Sequence, residues 1–244
     1  MKCIISCEHA SNRIPPHFAY LFDGKDNVKS SHRAYDAGAA SLARRLAKRL
    51  NGSLHLGSIS RLLIDLNRSQ TNRRSLFSQY SGKLKKRDRE MLLKKYHFPY
   101  RKRVEEEVGR IIAQGRPALH ISIHSFCPVK DSKVRKADIG LLYDPARKSE
   151  KKICVLLGRF LHKEIMSLQV RRNYPYLGKS DGFTAFLRKQ YTAEHYAGIE
   201  IEMNQGLLLS QRNRKEKVIE TLIKGITIID EKYFFENGIR WGES

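Results

Sequence analysis

The chain has 244 residues, 41% hydrophobic and 30% charged, so it is long enough for a full core and too apolar for a disordered chain. Its 47 Lys and Arg against 25 Asp and Glu give a formal net charge of +22, which attracts anions such as nucleic acid, acidic lipid or a small carboxylate. Its four cysteines lie within apolar segments, which excludes a disulfide scaffold.

The first predicted element is a buried strand, Cys3–Cys7, followed by a polar loop from Glu8. This apolar run is shorter than the ~7–15 residues of a signal peptide core, and no later run approaches the ~20 residues that span a bilayer. We therefore expect a cytoplasmic protein without membrane contact. No linker or repeat divides the chain, so we expect one domain over residues 1–244.

Apolar periodicity predicts the remaining elements in alternation. The predicted helices are Ala34–Leu50, Leu84–Ala113 (in two pieces broken at Pro99), Glu150–Met166, Gly182–Tyr191 and one within Asn213–Tyr233. The predicted strands are Ser53–Ile59, Leu62–Leu66, Ala118–Ile123, Ile139–Tyr143 and Ala197–Met203. This alternation indicates an α/β sandwich with a mostly parallel sheet, in which functional side chains gather beyond the carboxyl ends of the strands.

Two histidines follow predicted strands directly, His9 after Cys3–Cys7 and His124 after Ala118–Ile123. Two imidazoles at one sheet edge indicate a zinc site, which needs a third nitrogen or oxygen ligand. Asp36 is the best placed third ligand, and Glu8 is the second option, unless it instead accepts a hydrogen bond from a ligand imidazole. His120 lies four residues before His124 on the same strand and is predicted to be a core histidine.

Two carboxylates, Glu200 and Glu202, share one face of the strand Ala197–Met203 by the period-two rule. Buried carboxylates are costly unless they are paired or functional, so either one is a candidate general base that activates a metal-bound water. The alternative interpretation is a pair of solvated carboxylates on an edge strand.

Two arginines, Arg61 and Arg68, bracket the predicted strand Leu62–Leu66, and guanidinium groups can clamp a carboxylate bidentately. Asn67 adds a neutral donor, and Asp65 is a candidate partner that orients one of the arginines. A later loop rich in Gly, Pro and Tyr contains Tyr176 and is either a lid or only a tight connection.

Two rival functions stay open at this point. Cys7 and Cys127 lie near the histidines in sequence, which allows a Cys-dependent hydrolase. Basic residues concentrate in Lys83–Arg103 and Lys130–Lys152, which allows a non-catalytic nucleic-acid-binding protein, although no nucleic-acid motif accompanies them and a solvated surface is favoured.

Seven segments occur in order: Cys7–Asn12, Tyr35–Ala39, Ser60–Arg68, Ile123–Phe126, Asp138–Tyr143, Asn173–Gly182 and Ile201–Asn204. Together they resemble the N-formylglutamate amidohydrolase family, from about residue 3 to about residue 210. That family is similar to the zinc carboxypeptidases and aspartoacylase-type hydrolases. The resemblance implies a phosphorylase/hydrolase-like fold, a three-layer α/β/α sandwich around a mixed, mostly parallel sheet.

The resemblance also implies the residues of the site. These are His9, Asp36 and His124 as ligands of one zinc ion, Glu202 as base and then acid, Asn67 and Arg68 as the clamp for a substrate carboxylate, and Ser125 and Tyr176 as further substrate contacts. Arg61 is expected to polarise the scissile carbonyl or to bind a second carboxylate, and Glu200 stays an alternative to Glu202. The expected substrate is a small anionic N-acyl amino acid such as N-formylglutamate, with another N-acyl amino acid or a peptide as the alternative.

Overall fold

A computed structural model describes residues 3–72, 74–208, 210 and 212–231 of the chain. Its strands are β1 (Cys3–Cys7), β2 (Ser53–Leu56), β3 (Ala118–Phe126), β4 (Val129–Lys130), β5 (Lys133–Val134), β6 (Ile139–Leu142), β7 (Val170–Arg172) and β8 (Tyr196–Asn204). Six of them form one sheet in the order β2-β1-β3-β8-β6-β7. Every neighbouring pair in that sheet is parallel except β6 with β8, and β4 and β5 form a separate hairpin.

Helices cover both faces of this sheet. They are α1 (Asp26–Lys29), α2 (Ala39–Arg49), α3 (Lys86–Leu92), α4 (Phe98–Ala113), α5 (Lys148–Glu164), α6 (Phe183–Gln190), α7 (Gln205–Leu208) and α8 (Arg212–Glu231), with a 3-10 helix at Pro16–Phe22 and a π turn at Leu93–His97. Apolar residues of α2, α5 and α8 pack on one face, and those of α4 and α6 pack on the other. The predicted three-layer α/β/α sandwich with a mixed, mostly parallel sheet is confirmed.

The strands alternate between the two apolar clusters because successive strand residues point to opposite faces. In β1, Cys3, Ile5 and Cys7 join the cluster under α2, α5 and α8, whereas Ile4 joins the cluster under α4 and α6. The second face carries most of the polar strand residues, and the functional site is built on it.

The helix predicted from Ala34 begins instead at Ala39. Gly38 precedes it with φ 81°, and a Cβ at that position would lie 2.8 Å from a side-chain carbon of Leu208, so the turn and the close approach both require glycine. The backbone N–H of Asp36 donates to the carbonyl of His9 (3.0 Å) rather than entering the helix. Asp36 therefore lies in the turn before α2, not in its first turn.

The prediction of a strand at Leu62–Leu66 is wrong, because this segment forms consecutive turns. The Ser60 carbonyl accepts the N–H of Leu63 (3.0 Å), and the Asp65 carboxylate accepts the N–H of Asn67 (3.0 Å). Local turns and side chains thus satisfy backbone groups that a sheet would otherwise pair.

Other differences concern element boundaries. The helix over Leu84–Ala113 does not break at Pro99. A π turn at Leu93–His97 joins α3 to α4, and Pro99 lies in the first turn of α4, where a missing backbone N–H costs no hydrogen bond. Strand β3 extends to Phe126, so His124 lies within the strand and not after it. The short edge strand β7 was missed.

The closing helix runs over Arg212–Glu231, and positions 232–233 of the predicted range lie outside the described residues. The single-domain prediction for residues 1–244 stays a prediction, since its last residues also lie outside them. Among the described helices, none is long and apolar enough to cross a membrane.

Candidate active site

A cleft of about 380 Å³ opens where His9, just after β1, and polar residues of β3 and β8 meet the turns of the chain. All ten site residues predicted from the sequence line it, namely His9, Asp36, Arg61, Asn67, Arg68, His124, Ser125, Tyr176, Glu200 and Glu202. They converge from six separate segments, which is the geometry that a shared site requires.

The centre of the cleft is a buried cluster of His9, Asp36 and His124. Oδ2 of Asp36 lies 3.2 Å from Nδ1 of His9 and 2.8 Å from Nδ1 of His124. One ligand atom from each of the three residues lies within 4.8 Å of the others, so the group could hold a metal ion. Two imidazole nitrogens and one carboxylate oxygen form a donor set typical of a catalytic zinc site.

A further carboxylate holds the far nitrogen of each imidazole. Nε2 of His9 lies 2.7 Å from Oδ1 of Asp65, and Nε2 of His124 lies 3.1 Å from Oε2 of Glu8. Such partners fix the orientation of ligand histidines and leave the other nitrogen to face the metal. Of the two roles that the sequence left open for Glu8, this position matches the hydrogen-bonding one rather than that of third ligand.

The charges of this region also fit a divalent cation. Burial by itself raises the pKa of Asp36, but His9 and His124 hold it well below its usual range, and neighbouring imidazoles act in the same way on Asp65 and Glu8. Three carboxylates are therefore ionised, whereas two guanidinium groups lie beside them: Arg61 bridges Asp36 and Asp65, and Nε of Arg68 lies 4.0 Å from Asp65. With neutral imidazoles, three buried negative charges face two positive ones, and a bound cation would supply the compensation that buried charge requires.

Burial lowers the pKa of His124, but its hydrogen bonds to Asp36 and Glu8 outweigh burial and raise the pKa well above its usual value. A site that draws protons onto its imidazoles in this way is one that a metal cation can occupy in their place.

Arg61 bridges two carboxylates at the wall of the cleft. Its Nη2 lies 3.1 Å from Oδ2 of Asp65 and its Nη1 lies 3.5 Å from Oδ1 of Asp36, while 28% of the side chain stays exposed. The sequence had assigned Asp65 to an arginine alone, and the structure places it between Arg61 and His9. The contact of Asp65 with both residues could not be predicted from the sequence, because the turn that contains Asp65 was predicted as a strand.

Asn67 and Arg68 lie side by side on the same turn. Oδ1 of Asn67 accepts the backbone N–H of Phe183 at 2.6 Å, so its NH₂ group is the end that remains for a ligand. Nη1 of Arg68 donates to the carbonyl of Asp181, and its Nε has no hydrogen-bond partner among the described residues. Both residues line the cleft, and Nε of Arg68 lies 4.0 Å from Oδ2 of Asp65.

The two carboxylates of β8 differ in their surroundings. Oε1 of Glu200 accepts a 2.6 Å hydrogen bond from the hydroxyl of Thr184. Glu202 is 5% exposed, its Oε2 has no hydrogen-bond partner within the described part of the chain, and burial raises its pKa to about 7. Because β8 lies between β3 and β6, the alternative of solvated carboxylates on an edge strand is wrong.

The remaining predicted residues surround this centre. The backbone N–H of Ser125 donates to Oδ2 of Asp36 at 3.3 Å, and Tyr176, 43% exposed, lies at the mouth of the cleft. The core prediction for His120 is confirmed, since it is fully buried between Ser6 and Tyr196. The sequence analysis missed Lys130, which reaches the cleft from the β4–β5 hairpin. Only the general density of basic residues in that segment pointed toward it.

The cysteines are poorly placed for the rival nucleophilic chemistry. Cys7 is fully buried in the apolar cluster on the opposite face of the sheet, and burial raises the pKa of its thiol well above the usual value. Cys127 is not among the described residues that line the cleft. A thiolate is the reactive form of cysteine, and the surroundings of Cys7 disfavour it.

The chain is similar to known proteins in sequence and in fold. The sequence model of the N-formylglutamate amidohydrolase family matches residues 1–209. A search of curated protein sequences finds no significant match. Among solved structures, a gene product of Agrobacterium tumefaciens is 28% identical over 94% of this chain and 92% of that one, with a TM-score of 0.78. N-formylglutamate amidohydrolase from Ralstonia eutropha is 18% identical over 98% and 96%, with a TM-score of 0.71, a likeness of fold alone.

Proposed function

The chain belongs to the N-formylglutamate amidohydrolase family, and from this premise we propose that it is a zinc-dependent hydrolase of N-acyl acidic amino acids such as N-formylglutamate. Hydrolysis of an amide bond is the activity of the family. The observation that carries the metal dependence is the buried cluster of His9, Asp36 and His124, with its ligand atoms within 4.8 Å of one another.

In this proposal Nδ1 of His9, Nδ1 of His124 and a carboxylate oxygen of Asp36 hold the ion. Zinc bound there would supply Lewis acidity, which lowers the pKa of water and polarises a carbonyl. Asp65 and Glu8 hold the two imidazoles in the required orientation through their Nε2 atoms. The N–H of Ser125 and the guanidinium of Arg61 hold Asp36.

Glu202 moves the proton. Its Oε2 accepts a proton from the attacking water while the water oxygen bonds to the acyl carbon, and it then gives that proton to the amine nitrogen as the carbon–nitrogen bond breaks. For an N-formyl substrate the products are formate and the free amino acid. Glu202 suits this task better than Glu200, because the Glu200 carboxylate already accepts the Thr184 hydroxyl.

The cations of the cleft suit a substrate with two carboxylates. Asn67 and Arg68 bind one of them, whereas Arg61 stabilises the negative charge that develops on the carbonyl oxygen or binds the other. Lys130 adds a further positive charge at the mouth. The formal net charge of +22 adds a long-range attraction for such anions, which raises the association rate at low salt.

The substrate class is tested by release of amine from a matched panel of N-formylglutamate, N-acetylglutamate, N-formylglutamine and N-formylleucine. We expect N-formylglutamate to have the highest kcat/KM and chelation to abolish turnover until zinc is restored. A preference for N-formylleucine would instead assign the cleft to N-acyl amino acids with apolar side chains. Turnover that survives chelation and that alkylation of cysteine stops would contradict the metal mechanism.

A further inference from the structure

A second cleft of about 700 Å³ lies behind the turn that carries Asn67 and Arg68. It opens between α4, which contributes Arg101, and α6, which contributes Phe186. Asp181 is the one described residue that lines both clefts. The volume of this second cleft is that of a small-molecule site, and the proposed reaction uses none of the residues that line it.

Arg101 is a buried cation in the wall of this cleft. It is 7% exposed, and its guanidinium carbon lies 4.4 Å and 4.5 Å from the ring centroids of Phe183 and Phe186. No carboxylate of the described residues lies within ion-pair distance of it. Burial outweighs the more distant acids and lowers its pKa to about 10. A buried guanidinium without an anionic partner is costly, and an anion in the cleft would supply the missing charge.

His97 lines the same cleft and has a buried ring nitrogen without a hydrogen-bond partner in the described part of the chain. It is 1% exposed, and its Nε2 lies 2.9 Å from the carbonyl oxygen of Arg68. A carbonyl only accepts, so Nε2 carries the hydrogen. Burial lowers the pKa of His97 to about 4, so the ring is neutral and Nδ1 has a free lone pair. This Nδ1 is shielded from solvent and has no hydrogen-bond partner among the residues described, so a donor that enters from the adjacent cleft would satisfy it.

The rim of the cleft has a positive excess. Lys102, Lys179 and Lys189 line it against two acids, Glu105 and Asp181. The carboxylate of Asp181 already accepts hydrogen bonds from Asn72 at 2.7 Å and from the backbone of Ser69 at 3.3 Å. The aromatic ring of Phe186 gives the same cavity an apolar wall.

We propose that this second cleft binds a small organic anion that also carries a hydrogen-bond donor and an apolar group. Arg101 and the rim lysines receive the anionic group, Nδ1 of His97 receives the donor, and the Phe186 wall receives the apolar part. The site is distinct from the cleft of the His9 cluster.

Hydrogen bonds across the wall between the two clefts link the second cleft to the active site. The carbonyl of Arg68 accepts hydrogen bonds from His97 at 2.9 Å and from Nη1 of Arg101 at 3.3 Å, and Nη1 also donates to the carbonyl of Leu66 at 3.3 Å. A ligand that engages His97 and Arg101 therefore acts on the turn that presents Arg68. This coupling, unlike the binding itself, rests on the proposed role of Arg68 as substrate clamp.

The test uses 8-anilino-1-naphthalenesulfonate, which combines a sulfonate, an N–H donor and an aromatic body and reports binding by fluorescence. The full chain is titrated without substrate at physiological salt, with the double variant Lys102→Glu/Lys189→Glu beside it. The matched control is Lys48→Glu/Lys94→Glu, because both lysines are exposed and neither lines either cleft. The net charge changes equally in both variants.

We expect saturable one-site binding, with Kd raised about fivefold or more in the cleft variant and less than about twofold in the control, since salt screens distant charges. Absence of saturable binding, or equal losses in both variants, would overturn the site. Competition by N-formylglutamate with no effect of the cleft variant would also overturn it, because the probe would then occupy the active site.

The coupling is read as the KM for N-formylglutamate with and without saturating probe. A changed KM in the wild type, absent from Lys102→Glu/Lys189→Glu, supports it, whereas an unchanged KM contradicts it. An inactive enzyme would count against the proposed function, while the binding titration still decides the second site.

Discussion

The two faces of strands β1, β3 and β8 carry opposite chemistry on the same backbone. In β3, Leu119, Ile121 and Ile123 enter the apolar cluster, while His120, Ser122 and His124 point to the other face. The apolar face packs against α2, α5 and α8, whereas the polar face collects buried ionisable groups that would destabilise a fold with no use for them. Neighbouring residues of one strand therefore serve different ends, one stability and the next function. A single substitution on the polar face should change activity, and one on the apolar face should change stability.

The largest expected effect is on the polar face. Glu202→Gln should lower kcat about 100-fold to 10,000-fold, because the amide cannot accept the proton. Its melting temperature should not fall, since the change removes a buried carboxylate oxygen without a described partner. Steady-state kinetics and thermal unfolding measure the two quantities. The control is Glu200→Gln, and a larger kcat loss there would assign the base to Glu200.

On the apolar face the reverse is expected. Leu157 is fully buried in the cluster between the sheet and α8, so Leu157→Ala should lower the free energy of unfolding by about 2–5 kcal/mol. The kcat of the folded enzyme should be unchanged. Urea denaturation followed by kinetics below the transition checks both. A kcat loss as large as that of Glu202→Gln would contradict the claim that the apolar face affects stability and not activity.

The next effect concerns a polar-face residue with no proposed part in the reaction. Burial lowers the pKa of His120 to about 4, below the ordinary unfolded value of about 6.5, so the unfolded state binds the proton more tightly. Stability should therefore fall as pH drops from about 6.5 to about 4, by up to roughly 3 kcal/mol from this residue. His120→Gln should flatten that slope in urea denaturation. An unchanged slope would show that His120 does not set it.

The smallest effect is expected for a residue that contacts a proposed metal ligand but does not itself bind the metal. Asp65→Asn removes the carboxylate beside Nε2 of His9 without removing a ligand atom, so zinc affinity should fall about 10-fold to 100-fold. Competition with a chromophoric chelator measures this affinity. The comparison variant is Asp181→Asn, which lines the cleft but lies outside the ligand cluster. Equal losses in both variants would remove the special role of Asp65.

The sequence predicted the sandwich and the convergence of the site because both rest on local patterns. Period-two and helical apolar spacing define which residues form the layers, and polar residues at strand ends indicate the edge where they meet. The start of α2 was misplaced because the apolar stripe continues N-terminally of Gly38, whose constraint comes from the distant Leu208.

The partners within the site were less readable. Glu8 contacts Nε2 of His124, and Asp65 contacts Nε2 of His9. Each carboxylate is far in sequence from its histidine, so no local pattern encodes the pairing. The turn over Leu62–Leu66 was predicted as a strand because four of its five residues are apolar, although local turns and the Asp65 side chain satisfy its backbone. Lys130 was missed because a hairpin, not a predicted strand end, carries it to the cleft.

The central claim is that His9, Asp36 and His124 hold one metal ion. Metal content per chain, measured by mass spectrometry on the purified protein after zinc is supplied, tests it most directly. We predict near one zinc per chain in the wild type and in His162→Ala, an exposed histidine elsewhere, and its loss in His9→Ala and in His124→Ala. A wild-type protein without metal, or full zinc content in both ligand variants, would contradict the account.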